Sequence, residues 1–385
     1  MPSYGPPQVM FVRGSGARLW DRAGTEYLDF LSGLAVTSLG HSHPRVAEAL
    51  AAQSQRLLHV SNLFATEHNG PVAQTLDGLL GGGGQVFFCN SGAEANEAAI
   101  KLARRWAGWG RFTVISTLRS FHGRTLATLH ATGQPEKHEV FQPLPEGFRH
   151  VPFADVSAVE AAVDETTAAV LVEPVQGEGG VNVPPADYLP ALRALCDERG
   201  VLLMFDEVQT GLARTGRWFA HQHSGVSPDV VTMAKALGNG VPIGACWARV
   251  DVAGAFRPGD HATTFGGQPL ATAAARATLD TMIELDAPAC ATAAGARLRS
   301  GLEALGGVAG VRGLGLLLAA ELDPALGRTA GEVASACLAS GLVVNAVTPT
   351  AVRFAPPLVV TGAEIDEAVE RFAAVLAAPA GEAGS

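Results

Sequence analysis

Residues 168–211 read AAVLVEPVQGEGGVNVPPADYLPALRALCDERGVLLMFDEVQTG. Two apolar runs, 168–174 and 201–207, flank a segment, 186–199, that reads as a helix. Apolar runs without alternation belong to strands buried on both faces, and a helix between two such strands lays them parallel. The second run delivers Asp206 to the carboxyl end of its strand, the edge at which open α/β sheets bind ligands.

The same alternation extends in both directions. Further strands are expected at 85–89, 112–116, 230–234 and 243–248, and further helices at 92–108, 155–163 and 268–285. A helix opened by Pro44, in the first turn where proline is tolerated, is expected over PRVAEALAAQSQRLLHV, residues 44–60. Residues 9–30 read as short strands broken by glycine turns. Beyond about residue 287 an alanine-rich helix (287–305) leads into VRGLGLLLAAEL, a helix, the strands GLVVNAV and AVRFAPPL, and a last helix, TGAEIDEAVERFAAVLAA. The expectation is an α/β chain: a large domain over 56–286 with a mainly parallel sheet, and a smaller α+β domain built from 1–55 and 287–385. Gly81–Gly84 reads as a linker between helix and strand, since no GK[ST] follows.

Bulk properties exclude several roles. At 385 residues the chain is too long for one small core, and 48% hydrophobic with 17% charged residues is ordinary for a globular protein. A net charge of −10 and no basic run beyond Arg104-Arg105 speak against nucleic acid and anionic membranes as partners. Five widely spaced cysteines without a CxxC are expected to be free thiols in a reducing compartment. With no signal-peptide pattern in MPSYGPPQVMFVRG and no apolar span of membrane length, the expected location is the cytoplasm.

Only three of the 27 basic residues are lysine: Lys101, Lys137 and Lys235. Lys235 follows an apolar strand in DVVTMAKALGNGVPIGA, where a desolvated amine becomes nucleophilic and can form a Schiff base with an aldehyde cofactor. Asp206, one strand away, is a turn residue or cap on one reading. On the other it holds a proton on a pyridine nitrogen. Val208 can pack on a ring and Gln209 can bond a ring hydroxyl. In VFFCNSGAEANEAAIKLAR the residues Ser91–Glu94 fit a capping box, and the same helix start offers free N–H groups and a positive dipole end to a phosphate. SFHGRT offers Phe121 for stacking and Arg124 for a bidentate grip on a carboxylate. HATTFGGQP adds Thr263 and Thr264 as a second phosphate contact. His41 and His43 in GHSHP have metal-like spacing but no third ligand, so a loop-capping role is expected and no metal.

Together these stretches resemble the class III aminotransferases, pyridoxal-phosphate enzymes of fold type I. The likeness runs from GARLWDRAGTEYLDFLSGLAV to AVRFAPPLVVTGAEIDEAVERF. It rests on LGHSHP, FFCNSGAEANEAAIKLAR, SFHGRTLATLHATGQ, VEPVQGEGGV, FDEVQTGLARTG, MAKALGNGVPIGA and TTFGGQPLA. The resemblance implies that Lys235 holds pyridoxal 5′-phosphate and later moves the proton, while Asp206 pairs with the pyridinium nitrogen. It further implies Gln209 at the 3′ oxygen, Val208 and Phe121 around the ring, and Ser91, Gly92 and Ala93 at the phosphate. Thr264 would come from the other subunit of a homodimer. Arg124 and Thr263 would meet the substrate, and Arg353 the α-carboxylate of 2-oxoglutarate or glutamate, with Glu178 as its alternative partner.

Within the class, HVSNLFATE and GLVVNA are most similar to the members that act on N-acetylornithine in arginine biosynthesis. That implies a ping-pong reaction of N2-acetyl-L-ornithine with 2-oxoglutarate, giving N-acetyl-L-glutamate 5-semialdehyde and L-glutamate. Arg18 stands where enzymes acting on free ornithine carry tyrosine, which favours an acylated donor. Ornithine, 4-aminobutyrate and N-succinyl-diaminopimelate are the competing donors. A dehydrogenase is disfavoured because GSGARL precedes a strand and GLGLLL is expected inside one, so no G-x-G-x-x-G opens a helix. A silent, binding-only relative is expected to have lost Lys235 or Asp206; both are present.

Overall fold

In the computed structural model, which describes residues 1–378, a seven-stranded sheet carries the site. Its strands are β1 (Gly84–Cys89), β2 (Thr113–Thr117), β3 (Phe148–Val151), β4 (Thr167–Val172), β5 (Leu202–Asp206), β6 (Val230–Met233) and β7 (Gly244–Arg249). Their order is β1-β7-β6-β5-β4-β2-β3. All neighbouring pairs are parallel except those of β7, which runs antiparallel to both β1 and β6. Only Ala234–Ile243 joins β6 to β7, too short for the helical crossover that a parallel return needs. Strands β2, β4, β5 and β6 are buried along their whole length, as strands covered on both faces are.

The helices Gly92–Ala107, Val156–Ala162, Tyr188–Arg199 and Pro269–Glu284 lie where they are expected. Elements not marked in the sequence include the edge strand β3 and the helix Leu126–Ala131; the helix Asn69–Leu79 is the one implied, without bounds, ahead of the Gly81–Gly84 linker. The helix begun at Pro44 stops at Ser54 rather than running to residue 60. Turns follow it, leaving Leu57, Leu58, Leu63 and Phe64 exposed.

Two four-stranded sheets flank the large one. One orders Phe11–Ser15, Arg18–Asp21, Glu26–Asp29 and Leu342–Val343, so that Leu342 pairs with Leu28 and joins the two ends of the chain. The other orders Val308–Leu314, Leu317–Leu322, Ala351–Phe354 and Asn345–Thr348. GLGLLL is therefore a hairpin and not the inside of one strand. Gly315 turns it with φ +53°, and a side chain there would strike the backbone of Thr215 at 2.5 Å. The final helix spans Gly362–Ala377; residues 379–385 of the expected C-terminal domain lie outside the described residues. One apolar core runs through all of this, from Leu28 and Phe30 through Met233 and Trp247 to Phe354 and Phe372. It holds the three sheets against one another.

Candidate active site

Three carboxyl-end turns of the large sheet meet at one cavity of about 310 Å³. After β1, Ser91 caps the helix Gly92–Ala107, its hydroxyl accepting from Glu94 N at 3.2 Å. Only half of the expected capping box forms. The Glu94 carboxylate reaches past Ser91 to Asn90, at 2.9 Å from its backbone N and 2.8 Å from its side-chain amide. After β5 come Val208 and Gln209. After β6 comes Lys235, in the left-handed region with φ +39°. A methyl group on Gly92 would lie 2.8 Å from Val208 Cγ1, so the helix start approaches the β5 turn as closely as glycine allows.

Ser91, Gly92, Ala93, Phe121, Glu178, Asp206, Val208, Gln209 and Lys235 all line this cavity. Asn96, His122 and Glu173 line it too, and none of them is singled out by the sequence reading. They form the setting of Asp206, which is buried. Its Oδ2 receives Asn96 Nδ2 at 2.7 Å and His122 Nδ1 at 2.8 Å, and its Oδ1 receives Val208 N at 3.0 Å. Asn96 is in turn fixed by the Thr232 hydroxyl at 2.6 Å. A carboxylate held by three donors has no freedom to turn away from the cavity.

Glu173 accepts from Phe121 N at 3.0 Å and Gly177 N at 3.1 Å, tying the loop of Phe121 to the loop of Glu178. Burial pushes its pKa up to about 7; His122 pulls it down and Asp206 pushes it up. Burial lowers the pKa of Lys235, against the opposing pull of Glu178 and with the help of Arg353. For Glu178 burial works against ionisation, yet Arg353 and Lys235 hold the carboxyl down at about 2.

Arg353 projects from the strand Ala351–Phe354 and is 1% exposed. Its Nη1 donates to Glu178 Oε1 at 2.6 Å and Gln209 Oε1 at 3.0 Å, and its Nε to Asn345 Oδ1 at 3.1 Å. Nη2 is buried without a partner. Gln209 also donates to Glu178, at 3.0 Å. The result is a preformed guanidinium fork, half covered by a carboxylate, with one arm unpaired.

Four expected residues stand outside the cavity lining: Arg353, which reaches it through Glu178, together with Arg124, Thr263 and Thr264. Arg124 is exposed, with Cζ 5.5 Å from the Phe121 ring centroid. Thr263 accepts from Gly266 N at 3.1 Å and from Asn90 Nδ2 at 3.4 Å. Both threonines line a separate cavity with Ser61, Asn62, Phe87 and Phe88. Arg18 is engaged with Glu26 and Glu367 and does not line the catalytic cavity. His41 Nε2 bonds Asp29 Oδ2 at 2.6 Å, and among the described residues no cluster of His, Cys, Asp or Glu is suited to a metal ion.

A family model for class-III aminotransferases matches residues 2–376. The chain is 49% identical over 378 residues to the acetylornithine aminotransferase of Mycolicibacterium smegmatis, covering 98% of this chain and 95% of that one. It is 46% identical to that of Methanothermobacter thermautotrophicus, covering 96% and 94%. Among solved structures it resembles the N-acetylornithine aminotransferase from Stenotrophomonas maltophilia, with TM-score 0.85, 38% identity and 97% of each chain covered. It also resembles the ornithine aminotransferase from Toxoplasma gondii, with TM-score 0.92, 37% identity and 98% and 92% covered.

Proposed function

The chain belongs to the class-III aminotransferases, and on that footing we propose that it transfers the terminal amino group of N2-acetyl-L-ornithine to 2-oxoglutarate, giving N-acetyl-L-glutamate 5-semialdehyde and L-glutamate. The observation that carries the proposal is the meeting at one cavity of a desolvated amine, an anchored carboxylate, a helix N-terminus and Glu178, the carboxylate that half covers the arginine fork behind it. That donor set fits pyridoxal phosphate. Lys235 suits an aldehyde, Asp206 a pyridine nitrogen, and the N–H groups of Gly92 and Ala93 a phosphate. The cradle between Gly92 and Val208 has no room for a larger residue. A Toxoplasma gondii ornithine aminotransferase, 37% identical, is described with PLP at its active site. When bound, the cofactor supplies an aldehyde carbon and a ring that accepts electrons from the carbon losing its proton.

The chain's own residues do the rest. Lys235 Nζ is the amine that would hold the cofactor's aldehyde. With its pKa lowered by burial, the free amine would take and return the proton at the substrate's reacting carbon. Asp206, with His122 and Asn96 behind it, keeps the ring nitrogen protonated. Val208 and Phe121 would confine the ring, and Gln209 would serve its hydroxyl. Arg353 takes the α-carboxylate of 2-oxoglutarate or glutamate when Glu178 moves off it. While Glu178 covers Arg353, a donor with a terminal amine enters without meeting an uncovered fork. Arg124 and Thr263 meet the substrate, and Thr264 of a second copy completes the phosphate site of a homodimer. The domain division at residues 55 and 286 follows this reading, with 56–286 as the cofactor-binding part.

A steady-state panel of N2-acetylornithine, ornithine, 4-aminobutyrate and N-succinyl-diaminopimelate tests the proposal. The highest kcat/KM is expected for N2-acetylornithine; a preference for any other donor by more than about tenfold, roughly 1.4 kcal/mol, overturns the substrate assignment.

A further inference from the structure

Beside the cavity two cations share one aromatic ring. Arg124 Cζ lies 5.5 Å from the Phe121 ring centroid, Lys137 Nζ lies 6.0 Å from the same centroid, and Phe121 lines the cavity. The loop is pinned on both sides of Lys137. Gln134 Oε1 accepts from Lys137 Nζ, while Gln134 Nε2 donates to Ser120 O at 2.9 Å. On the other side the buried His138 bonds Thr132 O through Nε2 at 2.5 Å. The ammonium is therefore placed, not trailing in solvent.

That placement is electrostatically uphill. Burial lowers the pKa of Lys137 and Arg124 lowers it further, while Glu136 and Glu178 oppose them. Among the described residues neither Lys137 nor Arg124 forms an ion pair. Glu178, the acid on the cavity side, is committed to Arg353. Two neighbouring cations without a carboxylate, next to a ligand cavity, lack only the anion a ligand would bring.

We propose that Lys137 is a second cation beside Arg124, the residue read above as meeting the substrate, in a rim at the carboxylate of the amine donor's distal end, and that Lys137 sets the preference for donors whose α-nitrogen is uncharged. This rests on the donor class proposed above. A donor that enters amine first leaves its α-carbon near the rim, with a carboxylate and a nitrogen attached. An acylated nitrogen is neutral, so the two cations meet only the anion. A free amino acid carries an ammonium beside the carboxylate, and the rim repels one as it attracts the other. Arg124 alone could satisfy a carboxylate as a bidentate fork. The second charge contributes discrimination.

The test compares kcat/KM for N2-acetylornithine and ornithine in wild type, Lys137→Met and Lys137→Arg. Lys137→Met is expected to lose about tenfold with N2-acetylornithine, carried by KM with kcat held within roughly twofold. Ornithine should lose nothing, so the ratio between donors narrows by the same factor; Lys137→Arg should restore it. Calorimetric binding of N-acetylnorvaline, which lacks the terminal amine and cannot react, should follow the same order. A wild type that uses N2-acetylornithine, beside a Lys137→Met variant unchanged in ratio and affinity, overturns the rim alone. A wild type that ignores N2-acetylornithine but uses another terminal amine overturns the rim and the substrate assignment together.

Discussion

Lys235 is one of three lysines in a chain with 27 basic residues, and its neighbours explain why arginine is not used there. Guanidinium keeps its proton and forms no Schiff base, whereas burial makes the Lys235 amine easier to deprotonate. Asp206 was equally legible, at the end of LLMFD. What could not be read was its support, because His122 and Asn96 are 84 and 110 residues away and meet it only through the fold. That support gives Asp206→Ala a definite signature. Cofactor should still bind through Lys235 and the helix N-terminus. Turnover should fall at least tenfold, about 1.4 kcal/mol in the barrier, because the ring nitrogen loses its proton. Kinetics after loading check this, and a smaller loss removes the role. On the proposed reading the fork divides the two half-reactions. Arg353→Ala should damage the 2-oxoglutarate half-reaction by about 2 kcal/mol, the scale of a lost charged hydrogen bond, and the donor half-reaction far less. Single-turnover spectroscopy separates the two; equal losses would mark the Glu178 pair at 2.6 Å as a static structural contact.

At the scale of elements, buried parallel strands announce themselves and partly polar ones do not. β4 and β5 are continuous apolar runs, but β3, FRHV, carries an arginine and a histidine at the sheet edge and shows no alternation to betray it. The helix Asn69–Leu79, implied only by the linker after it, holds Gly70, Pro71 and Gly78, residues that hide its bounds from a propensity argument. The hairpin at Gly315 was hidden for the opposite reason, since apolar residues run straight through the turn. The helix start at Gly92 was visible as a strand-turn-helix, and its contact with Val208 makes it testable. Gly92→Ala places a methyl group 2.8 Å from Val208 Cγ1, so the turn must shift where ring and phosphate meet. Affinity for pyridoxal phosphate should drop about tenfold, with the thermal midpoint of the apoprotein changed by no more than roughly 4 °C. Fluorescence titration and a thermal scan give both numbers. Undiminished affinity would place the phosphate elsewhere.

At the scale of the whole molecule, several large apolar side chains near the second cavity stay exposed. Leu57, Leu58, Leu63, Phe64 and Phe265 are exposed. Leu63 shares a cavity with Thr263 and Thr264, whose side chains stand apart from the catalytic cavity of their own chain. In the proposed homodimer a second copy seated on this surface would cover these apolar residues and supply Thr264. Phe64→Asp should therefore shift sedimentation from twice the 39.7 kDa chain mass toward the single chain and weaken cofactor binding in step. A variant that becomes monomeric yet keeps full cofactor affinity would leave Thr264 without its role. Leu57 and Leu58 could not be read as exposed, because the helix from Pro44 was expected to run to residue 60. The scarcity of lysine also makes a chain-wide readout unambiguous. Borohydride reduction of the protein loaded with pyridoxal phosphate fixes the cofactor to whichever amine holds it, and a peptide map then reports on Lys101, Lys137 and Lys235 at once. The reduced cofactor's mass should sit on the Lys235 peptide alone and vanish in Lys235→Arg along with all transamination; label on Lys101 or Lys137, or turnover by that variant, would contradict the account.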